Sequence, residues 1–310
     1  MIQEDIIIEK NIVYGKAENE YLTADTFRLS NCSEKSPVLV LIHGGAFQTG
    51  SKEMYTEWGE RLARENYFVM AINYRLATST YASYPEVLED IEEAMNWLVL
   101  HSNRLDIDVS RISMIGDSAG AYLAALFSLR KQPFSYRICA VVGVYGPYDL
   151  VMECKSLKAE RKIQMFERLL GLTFEGNERA FKEASPISFI NAAATRPTFD
   201  TSFYLITGKE DNIVNSFQSR IFFEKLKGAN IDVELTEIDD IGHFWFNYIP
   251  GIKGGGVEDY PNNIIYPDII SYLKKINTQA CNGNFSRRQI ISIAKTENLQ
   301  ISDDKLEKER

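Results

Sequence analysis

The chain has 310 residues, 45% hydrophobic and 25% charged, with a formal net charge of −9. That length suits one large domain with an insertion or two ordinary domains, and the composition is globular rather than disordered, collagenous or membrane-spanning. The acidic balance argues against a nucleic-acid partner, which needs a basic patch, and favours a small neutral or cationic ligand.

The N-terminal stretch MIQEDIIIEK places acidic residues ahead of its isoleucines and has no basic leader, so no signal peptide is expected. No stretch approaches the roughly 20 apolar residues of a membrane span. Cys32, Cys139, Cys154 and Cys281 form no CxxC pair and read as reduced thiols rather than a disulfide or metal framework. A cytoplasmic protein without membrane association is expected.

Residues 6 to 29 hold two strand patterns, IIIEKNIVY and YLTADTFRL, placed as an antiparallel edge. Apolar runs follow at Val38–Ile42, Phe68–Ile72, Ile112–Ile115, Ile138–Val144, Phe203–Thr207 and Val233–Ile238. They alternate with helical patterns, which predicts an α/β fold with a mainly parallel sheet flanked by helices. Val87, Ile91, Ala94 and Leu98 share one helical face, with Pro85 expected to open that helix. Residues 149 to 185 contain helical patterns such as IQMFERLLG but no strand, and are expected to form a small cap inserted in a domain spanning 1 to 277. Residues 278 to 310 turn polar and end in DDKLEKER, a solvated tail that leaves open a role in self-association.

RISMIGDSAG, residues 111 to 120, sets a strand pattern against a GxSxG turn that leads into the Ala-rich helix pattern AYLAALFSL. This is the context of a nucleophile elbow, in which small neighbours let a tight turn lift a serine oxygen above the sheet. Ser118 is therefore the candidate nucleophile. A serine hydroxyl needs a base to take its proton, and imidazole titrates near the working pH. Of three histidines, His101 ends a helical pattern and reads as structural, while His43 reads as an organiser of its own glycine loop. His243, in DDIGHFWF past the last strand, is the candidate base.

The loop LIHGGAF, residues 41 to 47, offers backbone N–H groups where absent side chains allow close approach. Gly44, Gly45 and Ala119 are the candidate donors to a developing oxyanion, each worth about 3 kcal/mol to the transition state. FYLITGKEDNIV ends a strand and then offers Glu210 and Asp211; Asp211 is preferred as the carboxylate that orients His243, with Glu210 as the alternative. Phe47, Tyr145, Tyr148 and Trp245 are candidate pocket residues that would serve equally as core.

Taken together, HGGAF, NYRLA with YPEVLED, GDSAG, YGPYDL, ASPIS, TGKEDNIV and GHFWF resemble, in order, the hormone-sensitive-lipase-like and carboxylesterase branch of the α/β-hydrolases. The likeness runs through about residues 35 to 275. Ala46 stands where many members have a third glycine, and ATSTYASYP replaces the usual proline and acidic residue after YRLA. The resemblance implies a serine hydrolase that cleaves esters of small acyl groups through an acyl-enzyme, needing no metal and no other cofactor. An amidase related to kynurenine formamidase, a peptidase of the same fold, and a catalytically silent ligand-binding member remain as alternatives. The partner implied is a small-molecule ester, with a homo-oligomer left open.

Overall fold

A computed structural model describes residues 5–17, 20–31, 34–130, 135–156 and 160–282. Strands β1 (Ile6–Ala17) and β2 (Glu20–Leu29) pair antiparallel, and β2 pairs antiparallel with β4 (Phe68–Ile72). From there every pairing is parallel: β4 with β3 (Ser36–Ile42), β3 with β5 (Ile107–Asp117), then β6 (Ile138–Val144), β7 (Ser202–Gly208) and β8 (Val233–Ile238). Among the described residues the order in the sheet is β1-β2-β4-β3-β5-β6-β7-β8. Strands β4, β6 and β7 are buried along their whole length. Their continuous apolar, β-branched runs suit strands covered on both faces, whereas the alternating exposure of β1 suits an antiparallel edge.

Alternate strand residues feed two cores. Val38, Val40 and Ile42 pack with Ile91 of α2 (Val87–Leu105), Leu123 of α3 (Ala119–Leu129) and Phe222 of α8 (Phe217–Gly228). Leu39 and Leu41 pack on the other face with Trp58 and Leu62 of α1 (Thr56–Ala63) and with Ile265, Ile269 and Leu273 of α9 (Asn262–Asn282). The stripe Val87, Ile91, Ala94 and Leu98 is fully buried. Pro85, however, lies in the turn before α2 rather than at its first position. The chain makes that turn with a Ser83 carbonyl accepting the Val87 N–H at 2.6 Å.

Between β6 and β7 the described residues form only helices: α4 (Leu150–Ser156), α5 (Glu160–Leu170), α6 (Glu178–Ala184) and, after a 3₁₀ turn at Pro186–Phe189, α7 (Ile190–Ala194). The helical run thus passes residue 185. Phe166, Leu169, Phe181 and Ile190 join the core on the α3 side, so this segment is packed onto the sheet rather than loosely appended. Helix α9 likewise runs past residue 277 to Asn282, with Ile276 buried and the Asn277 amide donating to the Tyr67 hydroxyl at 2.9 Å. The rest of the expected tail, residues 283–310, and Cys32 lie outside the described residues. No helix among the described residues is long and apolar enough to cross a membrane.

The order β4-β3-β5 reverses the winding direction at β3, and the loops leaving the carboxyl ends of β3, β5, β7 and β8 all carry candidate site residues. A crevice outside the carboxyl ends of strands at such a reversal is where open α/β sheets bind ligands.

Candidate active site

Strand β5 ends at Asp117 and α3 begins at Ala119, leaving Ser118 alone to make the turn with φ 50° and ψ −116°. A non-glycine residue at positive φ stores strain that surrounding structure must hold in place. Here the Ser118 N–H donates to the Val144 carbonyl at 2.8 Å, tying the turn to β6. The flanking glycines are demanded by contact: a Cβ on Gly116 would lie 2.4 Å from the Gly120 carbonyl carbon and oxygen. Serine is presented above the sheet because the backbone can close this tightly.

Asp211 and His243 come from the loops after β7 and β8. His243 Nδ1 and Asp211 Oδ2 are 2.6 Å apart, and both side chains are almost wholly buried. The other carboxylate oxygen accepts the N–H groups of Ile213 at 2.9 Å and Val214 at 3.0 Å, which turns Asp211 inward. Glu210 is exposed, and Asp239 pairs on the surface with Lys209 Nζ at 2.6 Å, so neither reaches the imidazole. His243 Nε2 is buried with no hydrogen-bond partner, and no hydrogen bond joins it to Ser118 in this conformation. Catalytic hydrogen bonds of this kind are commonly long before substrate arrives.

The glycine loop shifts the free donors by one residue. The Gly44 N–H donates to Asp117 Oδ1 at 2.9 Å, so it is already committed within the protein. Among the described residues the N–H groups of Gly45, Ala46 and Ala119 have no backbone or side-chain acceptor, and all three residues face one cavity. In this loop the N–H left free on the cavity wall beside that of Gly45 is that of Ala46, not that of Gly44. The loop bends at Gly45, whose φ of +116° and 2.0 Å approach of an added Cβ to the Thr49 carbonyl exclude any other residue. His43 organises this loop, with Nδ1 2.6 Å from the Gly44 carbonyl and its ring stacked 4.4 Å from Tyr74. Burial lowers its pKa to about 4, so it stays neutral at pH 7. His101 stacks on Trp97 one helical turn back, with Nδ1 2.8 Å from that residue's carbonyl.

Ser118 and His243 line a cavity of about 640 Å³, within the range that encloses a drug-sized ligand. Of the four aromatic candidates only Phe47 lines it. Tyr145 packs against His243, its ring 4.2 Å from the imidazole, Trp245 packs edge-on against Tyr145, and Tyr148 stacks on Phe222 in the core. Those three are buried and do not line this cavity. The apolar walls come instead from Met165 and Phe166 of α5, Ile213 and Val214 after β7, and Phe244 and Tyr248 through Pro250 after β8. Sequence reading missed these because apolar loop residues look the same whether they face a ligand or a core. Among the described residues no Lys or Arg lines the cavity, and the carboxylates that do are Glu53 and Asp117. Burial alone would raise the Glu53 carboxyl, but the neighbouring Lys52 ammonium, 2.5 Å away, and Ser51 hold it down to about 2. Lys52 is itself buried and also pairs with the buried Asp25 at 2.9 Å, so this cluster leaves a net negative charge beside the cavity.

Comparison with known proteins gives a consistent picture. The BD-FAE family model matches residues 25–226. Esterase LipC of Mycobacterium tuberculosis is 28% identical over 261 residues, covering 79% of this chain but only 62% of LipC. Kynurenine formamidase of Drosophila melanogaster is 24% identical over 77% of either chain. Among solved structures, a thermophilic esterase from Thermogutta terrifontis superposes with a TM-score of 0.67 at 21% identity, over 89% of this chain and 93% of its own. That esterase has also been solved with propionate or butyrate bound.

Proposed function

The chain belongs to the BD-FAE family and has the fold of the carboxylesterase branch of the α/β-hydrolases; from that premise we infer that it is a serine hydrolase of small, uncharged carboxylic esters. The observation that carries this is that His243, held at 2.6 Å by the buried Asp211, lines one apolar cavity with the strained Ser118. Ser118 Oγ attacks the ester carbonyl carbon while His243 Nε2 takes its proton. Asp211 holds the Nδ1–H tautomer and stabilises the imidazolium. The N–H groups of Gly45, Ala46 and Ala119 stabilise the oxyanion. Collapse expels the alcohol, which receives the proton from His243, and water activated by the same base then releases the acid. We read the protein as cytoplasmic, a reading supported by the buried, unpaired Cys139 and Cys154.

A fluorophosphonate probe tests the nucleophile, since only an activated serine beside an oxyanion site reacts quickly with such a phosphorus centre. Labelling is expected in the native protein and absent in Ser118→Ala and His243→Ala. Undiminished labelling of Ser118→Ala would remove the assignment, and no labelling of the native protein would leave a ligand-binding member of the fold.

The lining sets the substrate's charge. With two carboxylates lining the cavity and the nearby Lys52 already engaged by Glu53 and Asp25, p-nitrophenyl butyrate is expected to exceed the similarly sized but anionic p-nitrophenyl hemisuccinate by at least about tenfold in kcat/KM, since juxtaposed like charges cost several kcal/mol. It is also expected to exceed the dodecanoate, because this one cavity must hold both acyl and alcohol groups. Comparable rates on all three would contradict both expectations. A preference for an aryl formamide in the same panel would shift the reading to an amidase.

A further inference from the structure

The general GxSxG pattern leaves the residue before its serine open, but the GDSAG form found here sets Asp117 in that position, a carboxylate to which the reaction above gives no role. Asp117 is 2% exposed, yet its Oδ1 accepts three hydrogen bonds: from the Gly44 N–H at 2.9 Å, the Tyr55 hydroxyl at 2.8 Å and the Asn247 amide at 2.8 Å. The donors come from two regions far apart in sequence, residues 44–55 and residue 247. Gly44 is next to Gly45 in the oxyanion loop, Tyr55 immediately precedes α1, and Asn247 lies four residues beyond His243 in the base loop. One oxygen atom thus joins the two loops that must meet the substrate to the residue adjoining the nucleophile.

The surroundings are built for an ion. Burial pushes the Asp117 carboxyl up to about 6, against the lowering effect of the Tyr55 and Gly44 hydrogen bonds, so its charge at neutral pH is retained at a cost. The phenols of Tyr55, Tyr74 and Tyr145, which face it with His243, are pushed well above their usual range by burial and by Asp117 itself, so they stay protonated. Gly44 must lack a side chain to pack this closely on the carboxylate, because a Cβ there would come within 2.4 Å of Oδ2. An apolar side chain of similar volume is often as stable as a buried ion, so stability alone is a poor reason to keep this one. What a charge adds is stronger, directional hydrogen bonds to its three donors.

We propose that Asp117 is a positioning residue for ester hydrolysis, its carboxylate fixing the Gly45 and Ala46 N–H groups in register with Ser118 and His243. The proposal rests on the serine-esterase reading. Misplacing catalytic groups by about 1 Å can cost on the order of a hundredfold, and this effect falls on the transition state rather than on the ground-state complex.

Asp117→Asn keeps the shape and removes the charge. With p-nitrophenyl butyrate, its kcat is expected to fall by roughly 10- to 100-fold with KM within about twofold. The inhibition constant of a trifluoromethyl ketone, which binds as an oxyanion, should rise by the same factor. Tyr55→Phe, which deletes one donor and keeps the ring, should move the same two quantities in the same direction by a few fold; it decides the matter if the first variant does not fold. Unchanged kcat and inhibition in either folded variant would overturn the proposal. So would a loss that tracks the melting temperature and vanishes when the assay is cooled. Native protein that hydrolyses no ester removes the esterase reading and this proposal with it, whereas active native protein matched by Asp117→Asn removes this proposal alone.

Discussion

Gly120→Ala is expected to abolish turnover and to lower stability by about 3 kcal/mol or more, the upper range for forced overpacking. An added Cβ would lie 1.9 Å from the Ile42 carbonyl oxygen and 2.8 Å from that of His43, both backbone atoms at the end of β3. Backbone in the centre of a sheet cannot yield as a flexible side chain can, so α3 must move away instead. That movement takes with it the Ala119 N–H and the strained Ser118 turn while pushing on the start of the oxyanion loop. Gly228→Ala, at the end of α8 with nothing within 4 Å of the added methyl, is the control, expected to be neutral or slightly stabilising through helix propensity. Thermal unfolding with an ester assay checks both. A Gly120→Ala protein with native melting temperature and turnover would mean that β3 and α3 are not in this contact.

The contrast between these glycines shows what kind of information a sequence displays. Strands β4, β6 and β8 were legible to the residue because each is a short β-branched run ending at turn residues, and the elbow was legible because strand, GxSxG and helix are contiguous. That the Gly44 N–H is occupied and the next two are free could not be read locally, because it depends on Asp117, 73 positions away, claiming the first of them. Local spacing carries no trace of that contact. Phe244 and Trp245 sit side by side in GHFWF, yet Phe244 lines the cavity and Trp245 is buried against Tyr145. A backbone φ of 65° at Phe244 breaks any alternation that could have separated them. Pro85 misled for a similar reason, since a proline two residues before a helix and one opening it look alike until the hydrogen bonds of the turn are known.

Asp211→Asn is expected to lose turnover by about four orders of magnitude, the loss typical when a triad carboxylate becomes an amide. The shape survives the change, but an amide that turns its NH₂ group toward Nδ1 favours the tautomer with its proton on Nε2, which cannot accept from Ser118. Here the reversal is reinforced by two N–H groups: Ile213 and Val214 donate to Asp211 Oδ1, so the amide oxygen is held there and the NH₂ is left facing the imidazole. The neighbouring acids lack this constraint. Glu210→Gln and Asp240→Asn alter exposed side chains, and Asp239→Asn breaks only a solvent-screened surface pair with Lys209. All three should stay within a few fold of the native rate. Fluorophosphonate labelling of Asp211→Asn should slow in parallel with its kcat, because both reactions need the same imidazole tautomer. If Asp211→Asn keeps most of its activity while Glu210→Gln does not, the 2.6 Å contact to His243 is not the one that operates in solution, and the acid moves one residue along the chain.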